Sequence, residues 1–166
     1  ADLVGKVVNI ASRCSGFITK NFQGKLATQF ENNDLYNSAI NLGDKIADYF
    51  LQREYSQAIR EIMTIADAAN QYIAEEAPWN LAKQPGQEAR VQAVCTLGIN
   101  LFKIIITYLQ PVVPILAAKS ADFLNFSDLS WQNVQIPLLN HTINSFTPLI
   151  TRIDPQVATQ IIVEQP

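Results

Sequence analysis

Residues Glu88 to Leu109 read EARVQAVCTLGINLFKIIITYL, and from Val94 onward the run is apolar nearly all round a helical wheel. A helix with no polar face needs neighbours on every side, so this segment is expected to be the central element of a helical bundle. The apolar stretch from Gly98 to Ala118 also resembles a membrane span in length, but Asn100, Lys103, Gln110, Pro111 and Pro114 interrupt it. A span usually needs about 20 nearly uninterrupted apolar residues. A buried helix broken by proline is the reading the stretch supports.

Elements of the right kind to surround that helix lie on both sides of it. From Asp2 to about Phe22, Leu3, Val4, Val7, Val8, Ala11, Cys14 and Ile18 recur at helical spacing, and Asn9, Arg13, Gly16 and Lys20 fall on the opposite face. A polar connection from Gln23 to Asn33 follows, and Asn33 or Asp34 can cap a second helix running to about Gln52. Its wide apolar arc suits a helix touching two neighbours. A third helix, Glu54 to Ala77, should bury Tyr55, Ile59, Ile62, Ala66, Ala69 and Ile73 and leave Arg60, Asp67 and Gln71 outside. Pro78 disfavours helical geometry at the residue before it, so a turn onto a short segment carrying Trp79 is expected there. Gln84, Pro85 and Gly86 make the next break, and a fifth main helix should start near Pro111 and run to about Leu124.

Beyond Asn125 the pattern changes to short apolar patches, Ile136 to Leu139, Ile143 to Phe146 and Leu149 to Ile153, which read as an extended tail. A last short helix from Asp154 or Pro155 to about Val163 is compatible with the sequence. The chain divides into a helical bundle over 1–124 and a C-terminal tail over 125–166, and the fold class is all-α.

Composition narrows the function. The 166 residues carry 12 Lys and Arg against 15 Asp and Glu, a net charge of -3. Broad electrostatic capture of nucleic acid, which needs a basic excess, is therefore excluded, and any RNA contact must be local. Cys14 and Cys95 lie within apolar helical patterns and read as core thiols in a reducing cytosol. Ala1 to Ile10 lacks a basic region ahead of its apolar residues, so no signal peptide is expected, and the chain is either cytoplasmic or begins within a longer protein. No phosphate-cradling glycine loop and no cysteine pair at metal spacing occur, and the single histidine, His141, is expected to be structural, hydrogen-bonded to nearby backbone. Glu75 and Glu76 read as a solvated acidic turn at a helix end.

Two features stand out. Asn9 and Arg13 are spaced i and i+4 on the exposed face of the first helix, flanked by Gly5 and Gly16, which leave room for an approaching group. An amide and a rigid guanidinium fork can together read the edge of a planar polar group, although the same pair also serves as an ordinary solvated face. Trp79 follows a helix-breaking proline, where its indole can stack on a nucleobase or pack beneath the turn.

Taken together, in their order and spacing, Asn9-Ile-Ala-Ser-Arg13, Ala58-Ile-Arg-Glu-Ile62, Ala77-Pro-Trp79 followed by Leu81-Ala-Lys83, and Pro148-Leu-Ile-Thr-Arg-Ile-Asp154 resemble the anticodon-binding domain of the methionyl-tRNA synthetase family. The resemblance covers essentially the whole chain. It implies an α-helical bundle of the class I aminoacyl-tRNA synthetases, in which the first helix and the Ala-Pro-Trp turn lie side by side and hold the anticodon. Asn9, Arg13 and Trp79 occupy the matching positions. Asp67, with Glu75, would repel phosphates of wrongly docked loops, while Ala74 stands where many family members have an acidic residue. The implied partners are initiator and elongator methionine tRNA and a preceding catalytic domain of the same polypeptide, toward which the tail would return, with no role for membrane or DNA. ATP and Mg2+ would serve that catalytic domain; its two signature motifs do not occur here, so this chain alone is expected to bind no cofactor or metal and to catalyse nothing. The competing expectation is a helical protein-interaction module without RNA binding, which a large exposed apolar patch would favour and a basic stripe through Asn9, Arg13, Lys20 and Trp79 would disfavour.

Overall fold

The structure, a computed structural model, describes residues 2–147, with side chains from Val4 onward. Its elements are α1 (Asp2–Phe22), α2 (Asn33–Asn41), α3 (Gly43–Leu51), α4 (Tyr55–Glu76), α5 (Pro78–Leu81), α6 (Glu88–Leu109), α7 (Pro114–Leu124) and a single 3-10 turn, Trp131–Asn133. The described residues are thus all-α, apart from one antiparallel bridge between Lys25 and Thr142.

The central position of α6 follows from its composition. Every residue from Val94 to Leu109 is buried, and the helix packs chiefly on α1 and α4, then on α7, α2 and α5. By length and composition it could cross a membrane, yet it forms the interior of the bundle. The α1 stripe faces it as the periodicity requires, with Val7, Ile10, Ala11, Cys14 and Ile18 fully buried.

Gly98 permits the close approach of α1 and α6, because a Cβ there would lie 2.4 Å from Cys14 Sγ. Gly98→Ala is therefore expected to cost about 1 to 3 kcal/mol through overpacking. Urea denaturation should show the loss, and Cys14→Ala in the same chain should recover most of it. An unchanged midpoint for the single variant would contradict this packing.

Three element boundaries differ from the sequence expectation. The second helix breaks at Leu42 into α2 and α3, and its N-cap is Asn32, whose side chain accepts from the Leu35 N–H at 3.2 Å. The break has a tertiary cause. The Tyr108 hydroxyl of α6 lies 3.0 Å from the Ala39 carbonyl and 3.2 Å from that of Ile40, taking up carbonyls at the end of α2. Gly43 makes room for that ring, since a Cβ would meet the Tyr108 hydroxyl at 2.8 Å. The fifth main helix starts at Pro114 rather than Pro111: Pro114 takes the first helical turn, and Val113 before it lies outside the helical region at φ -134 and ψ 64. Tyr55, expected in the core, is 50% exposed. As the first residue of α4 it lies at the end of the helix, beside Phe50 at 6.1 Å.

Residues 125–147 pack onto the bundle, held by polar side chains of α6 and of Gln110 just past its end. Asn100 accepts from the Leu138 N–H at 2.6 Å and donates to the Leu138 carbonyl at 3.0 Å. Lys103 Nζ donates to the Ile136 carbonyl at 2.7 Å, and Gln110 Nε2 to the Leu129 carbonyl. Burial holds the Lys103 pKa below its ordinary value, partly offset by Asp128. Leu129, Val134, Leu138 and Ile143 are buried on the bundle, while Ile136 remains 55% exposed. His141 is structural as expected: its Nε2 pairs with the Leu124 carbonyl at 2.8 Å, and its own carbonyl accepts from Leu26 N–H. The Pro148–Asp154 motif, the patch Leu149–Ile153 and the proposed last helix lie outside the described residues.

Candidate nucleic-acid interface

Helices α1 and α4 lie side by side and leave a broad, open groove of about 660 Å³ between their outer faces. From α1 it is lined by Gly5, Lys6, Asn9 and Arg13, and from α4 by Asp67, Asn70, Gln71 and Ala74. Both sets recur at helical spacing, which is why one face of each helix supplies a whole wall. A Cβ at Gly5 or at Gly16 would meet nothing within 4 Å, so the α1 surface is open on either side of Asn9 and Arg13.

Local chain geometry brings Trp79 to the end of this groove. Ala77 adopts the left-handed conformation with φ 47 and its N–H caps Ile73 of α4 at 2.9 Å. Only glycine enters that conformation without a steric penalty. Pro78 then takes the first position of α5, and the chain turns so that Trp79 lies against α1. The Arg13 guanidinium sits over the indole, 4.8 Å from the ring centroid. The indole is half-buried, with part of its surface packed on the core. An exposed cation over tryptophan contributes about 0.5 to 1 kcal/mol, enough to favour one arrangement of the two side chains.

The three residues singled out in the sequence are thus neighbours: Asn9 and Arg13 in one wall, and Trp79 stacked against Arg13. Asp67 stands in the facing wall, where its Oδ1 pairs with Lys6 Nζ at 2.9 Å, so its charge is already opposed. Glu75 accepts from Gln71 Nε2 at 3.0 Å. Glu76 is not a free solvated carboxylate, because Arg90 holds it at 2.6 Å. Lys20 does not join this groove; it lines a separate cleft with Phe22, Leu81, Gln84 and Glu88. The basic stripe therefore ends at Arg13. Sequence reading overlooked Lys6, Asn70 and Gln71, although Asp67, Asn70, Gln71 and Ala74 share one helical face at i, i+3, i+4 and i+7.

The groove offers a fork of donors from Arg13, side-chain amides and an adjoining aromatic face, a set suited to a planar heterocycle with polar edges. Among the described residues no three His, Cys, Asp or Glu side chains are grouped to hold a metal ion. Cys14 and Cys95 are buried, and the Cys14 thiol is pushed well above its ordinary pKa by its hydrogen bond with Cys95 and then by burial, which leaves it unreactive. Among the described residues the exposed large apolar side chains are Leu51 and Tyr55, on either side of the α3–α4 turn, and Ile115 and Ile136 elsewhere in the chain.

Residues 27–147 match a family described as the anticodon binding domain of methionyl tRNA ligase. That match takes in Asp67, Asn70 and Trp79 but begins after α1. The chain is also similar in fold to solved structures of methionyl-tRNA synthetase from Mycobacterium tuberculosis. For the apo form the TM-score is 0.85 at 23% identity, covering 93% of this chain and 33% of that one. For the form bound by methionyl-adenylate it is 0.84 at 23% identity, covering 91% and 32%. This chain spans about a third of the length of these structures.

Proposed function

Because this chain belongs to the family of anticodon-binding domains of methionyl-tRNA ligase, we propose that it reads the CAU anticodon of initiator and elongator methionine tRNAs. In this reading it is part of a longer cytoplasmic ligase that attaches methionine to tRNA with ATP and Mg2+. The ATP chemistry belongs to a catalytic domain of the same polypeptide. The bundle itself binds RNA and does no catalysis.

The observation that carries the reading is the Arg13 guanidinium stacked over Trp79 at the mouth of the groove. A nucleobase entering the groove takes the indole face and frees the guanidinium to turn to its edge. Cytosine presents acceptors at O2 and N3, which meet the donor-only fork of Arg13, with Asn9 supporting the same edge. Uracil carries a donor at N3, so donor faces donor and polar groups are left unpaired, costing about 1 to 3 kcal/mol. Asp67 contributes selectivity by opposing phosphates that enter the α4 side, tempered by its pairing with Lys6 and by the neutral Ala74.

The test is titration of the 166-residue chain with CAU and UAU stem-loops, following Trp79 emission in a Trp131→Phe background. CAU should bind about tenfold more tightly or better. Arg13→Ala should remove most of that preference, and Arg13→Lys should restore little of it, because a point ammonium lacks the fork. Equal affinity of the unaltered groove for both loops would overturn the reading.

A further inference from the structure

Asn70 sits in the α4 wall of the groove, one turn from Asp67 and one from Ala74. Its Nδ2 donates to the Lys6 carbonyl at 3.3 Å and to the Ala66 carbonyl at 3.1 Å. Turning the amide over would set its oxygen against two carbonyl oxygens, so these bonds decide which end faces them. The Oδ1 atom is thereby left shielded from solvent without a donor. Among the described residues it is the only buried side-chain nitrogen or oxygen in that condition. The polar side chains of the core, by contrast, are paired: Thr96, Asn100, Lys103, Thr107 and Ser120 all have backbone partners. Unmatched buried acceptors are uncommon in folded proteins and call for a reason.

Three of the groove's donors are engaged elsewhere. Lys6 Nζ is held by Asp67, Gln71 Nε2 by Glu75, and the Arg13 guanidinium lies over Trp79. An acceptor held ready in the wall opposite a donor-only guanidinium is complementary to a base edge that carries both acceptors and an amine.

We propose that Asn70 Oδ1 is a specificity-determining acceptor for the exocyclic amine of the base that Arg13 reads. This rests on the reading that the groove holds the first base of a CAU anticodon. Arg13 has no acceptor for the N4 amine of cytosine, and Asn70 supplies one from the facing helix. Uracil presents a carbonyl oxygen at the same place and meets acceptor with acceptor. Lys6 and Gln71 are exposed side chains of the same groove, and the assignment requires the incoming nucleotide to displace the groove side chains that shield the oxygen.

A double cycle tests the assignment. The 166-residue chain and Asn70→Ala are each titrated with a CAU stem-loop and with the same loop carrying pyrimidin-2-one, cytosine without its amine, at the first position. The unaltered chain should lose about tenfold in affinity when the amine is removed, whereas Asn70→Ala should bind both loops alike. Equal losses in both proteins would overturn the assignment and leave Asn70 as a tie between α4 and the Lys6 carbonyl. Asn70→Asp keeps the acceptor while losing the Nδ2 bonds, so it should retain the preference for the amine even if it melts earlier. It carries the test if the alanine variant does not fold, and indifference to the amine in Asn70→Asp would equally overturn the assignment. Failure of the unaltered chain to prefer CAU over UAU would overturn the underlying reading as well. Preference for CAU without coupling to Asn70 would overturn this assignment alone.

Discussion

Replacing Trp79 with alanine is expected to weaken binding of the CAU stem-loop by about 1 to 3 kcal/mol, the worth of one base stacked on an aromatic side chain, or roughly 5- to 150-fold. Every base has a π-face, so the loss should fall on CAU and UAU loops alike, in contrast to the selective effect of Arg13→Ala. Two contributions go at once. The stacking platform is lost, and so is the surface that holds the Arg13 guanidinium 4.8 Å from the ring centroid in the free protein. Trp79→Phe should recover part of the affinity because it keeps a smaller platform. The indole also packs partly on the core, so calorimetric titration should be accompanied by a melting curve showing that the variant is folded at the working temperature. A folded Trp79→Ala protein that binds CAU as tightly as the parent would remove Trp79 from the interface.

Asn100→Leu should have the largest effect on stability. The substitution roughly keeps the volume of the side chain but removes both bonds to Leu138, one donated and one accepted. The Leu138 N–H and carbonyl would be stranded beneath a buried side chain, and with about 1 to 3 kcal/mol for each orphaned group the cost is about 2 to 6 kcal/mol. The neighbouring ties from Lys103 to Ile136 and from Gln110 to Leu129 remain. Release should therefore be local first, appearing as faster amide exchange around Ile136 to Ile143 before global unfolding moves to lower urea. The groove between α1 and α4 lies on other elements, so affinity for the CAU loop should hold in the folded variant. Parent-like stability and exchange would mean that the tail is anchored by its apolar side chains alone.

Much of this molecule was readable from local pattern. The α1 stripe, the limits of α4, the break at Pro78 and the all-round apolar character of α6 each depend on residues within one or two turns of each other. The periodicity of 3.6 residues therefore carries the information. The same periodicity put Asn9 and Arg13 on one exposed face before any neighbour was known. It could equally have grouped Asp67, Asn70 and Gln71, had the outer face of α4 been read as a wall and not as solvent.

Other features were decided by segments far apart in the chain. The break between α2 and α3 depends on a hydroxyl from Tyr108 reaching the carbonyls of Ala39 and Ile40. Asn100, Lys103 and Gln110 read only as interruptions of an apolar run, because the backbone groups they hold lie 19 to 38 residues away. The stacking of Arg13 on Trp79 and the unpaired oxygen of Asn70 likewise require α1 and α4 to be packed together. The sequence by itself determined which helices form and which faces they bury, since those choices are local and hydrophobic. The tertiary structure alone decided where the helices bend, how the tail is held and which polar groups converge, because hydrogen bonds between remote segments leave no periodic trace in the chain.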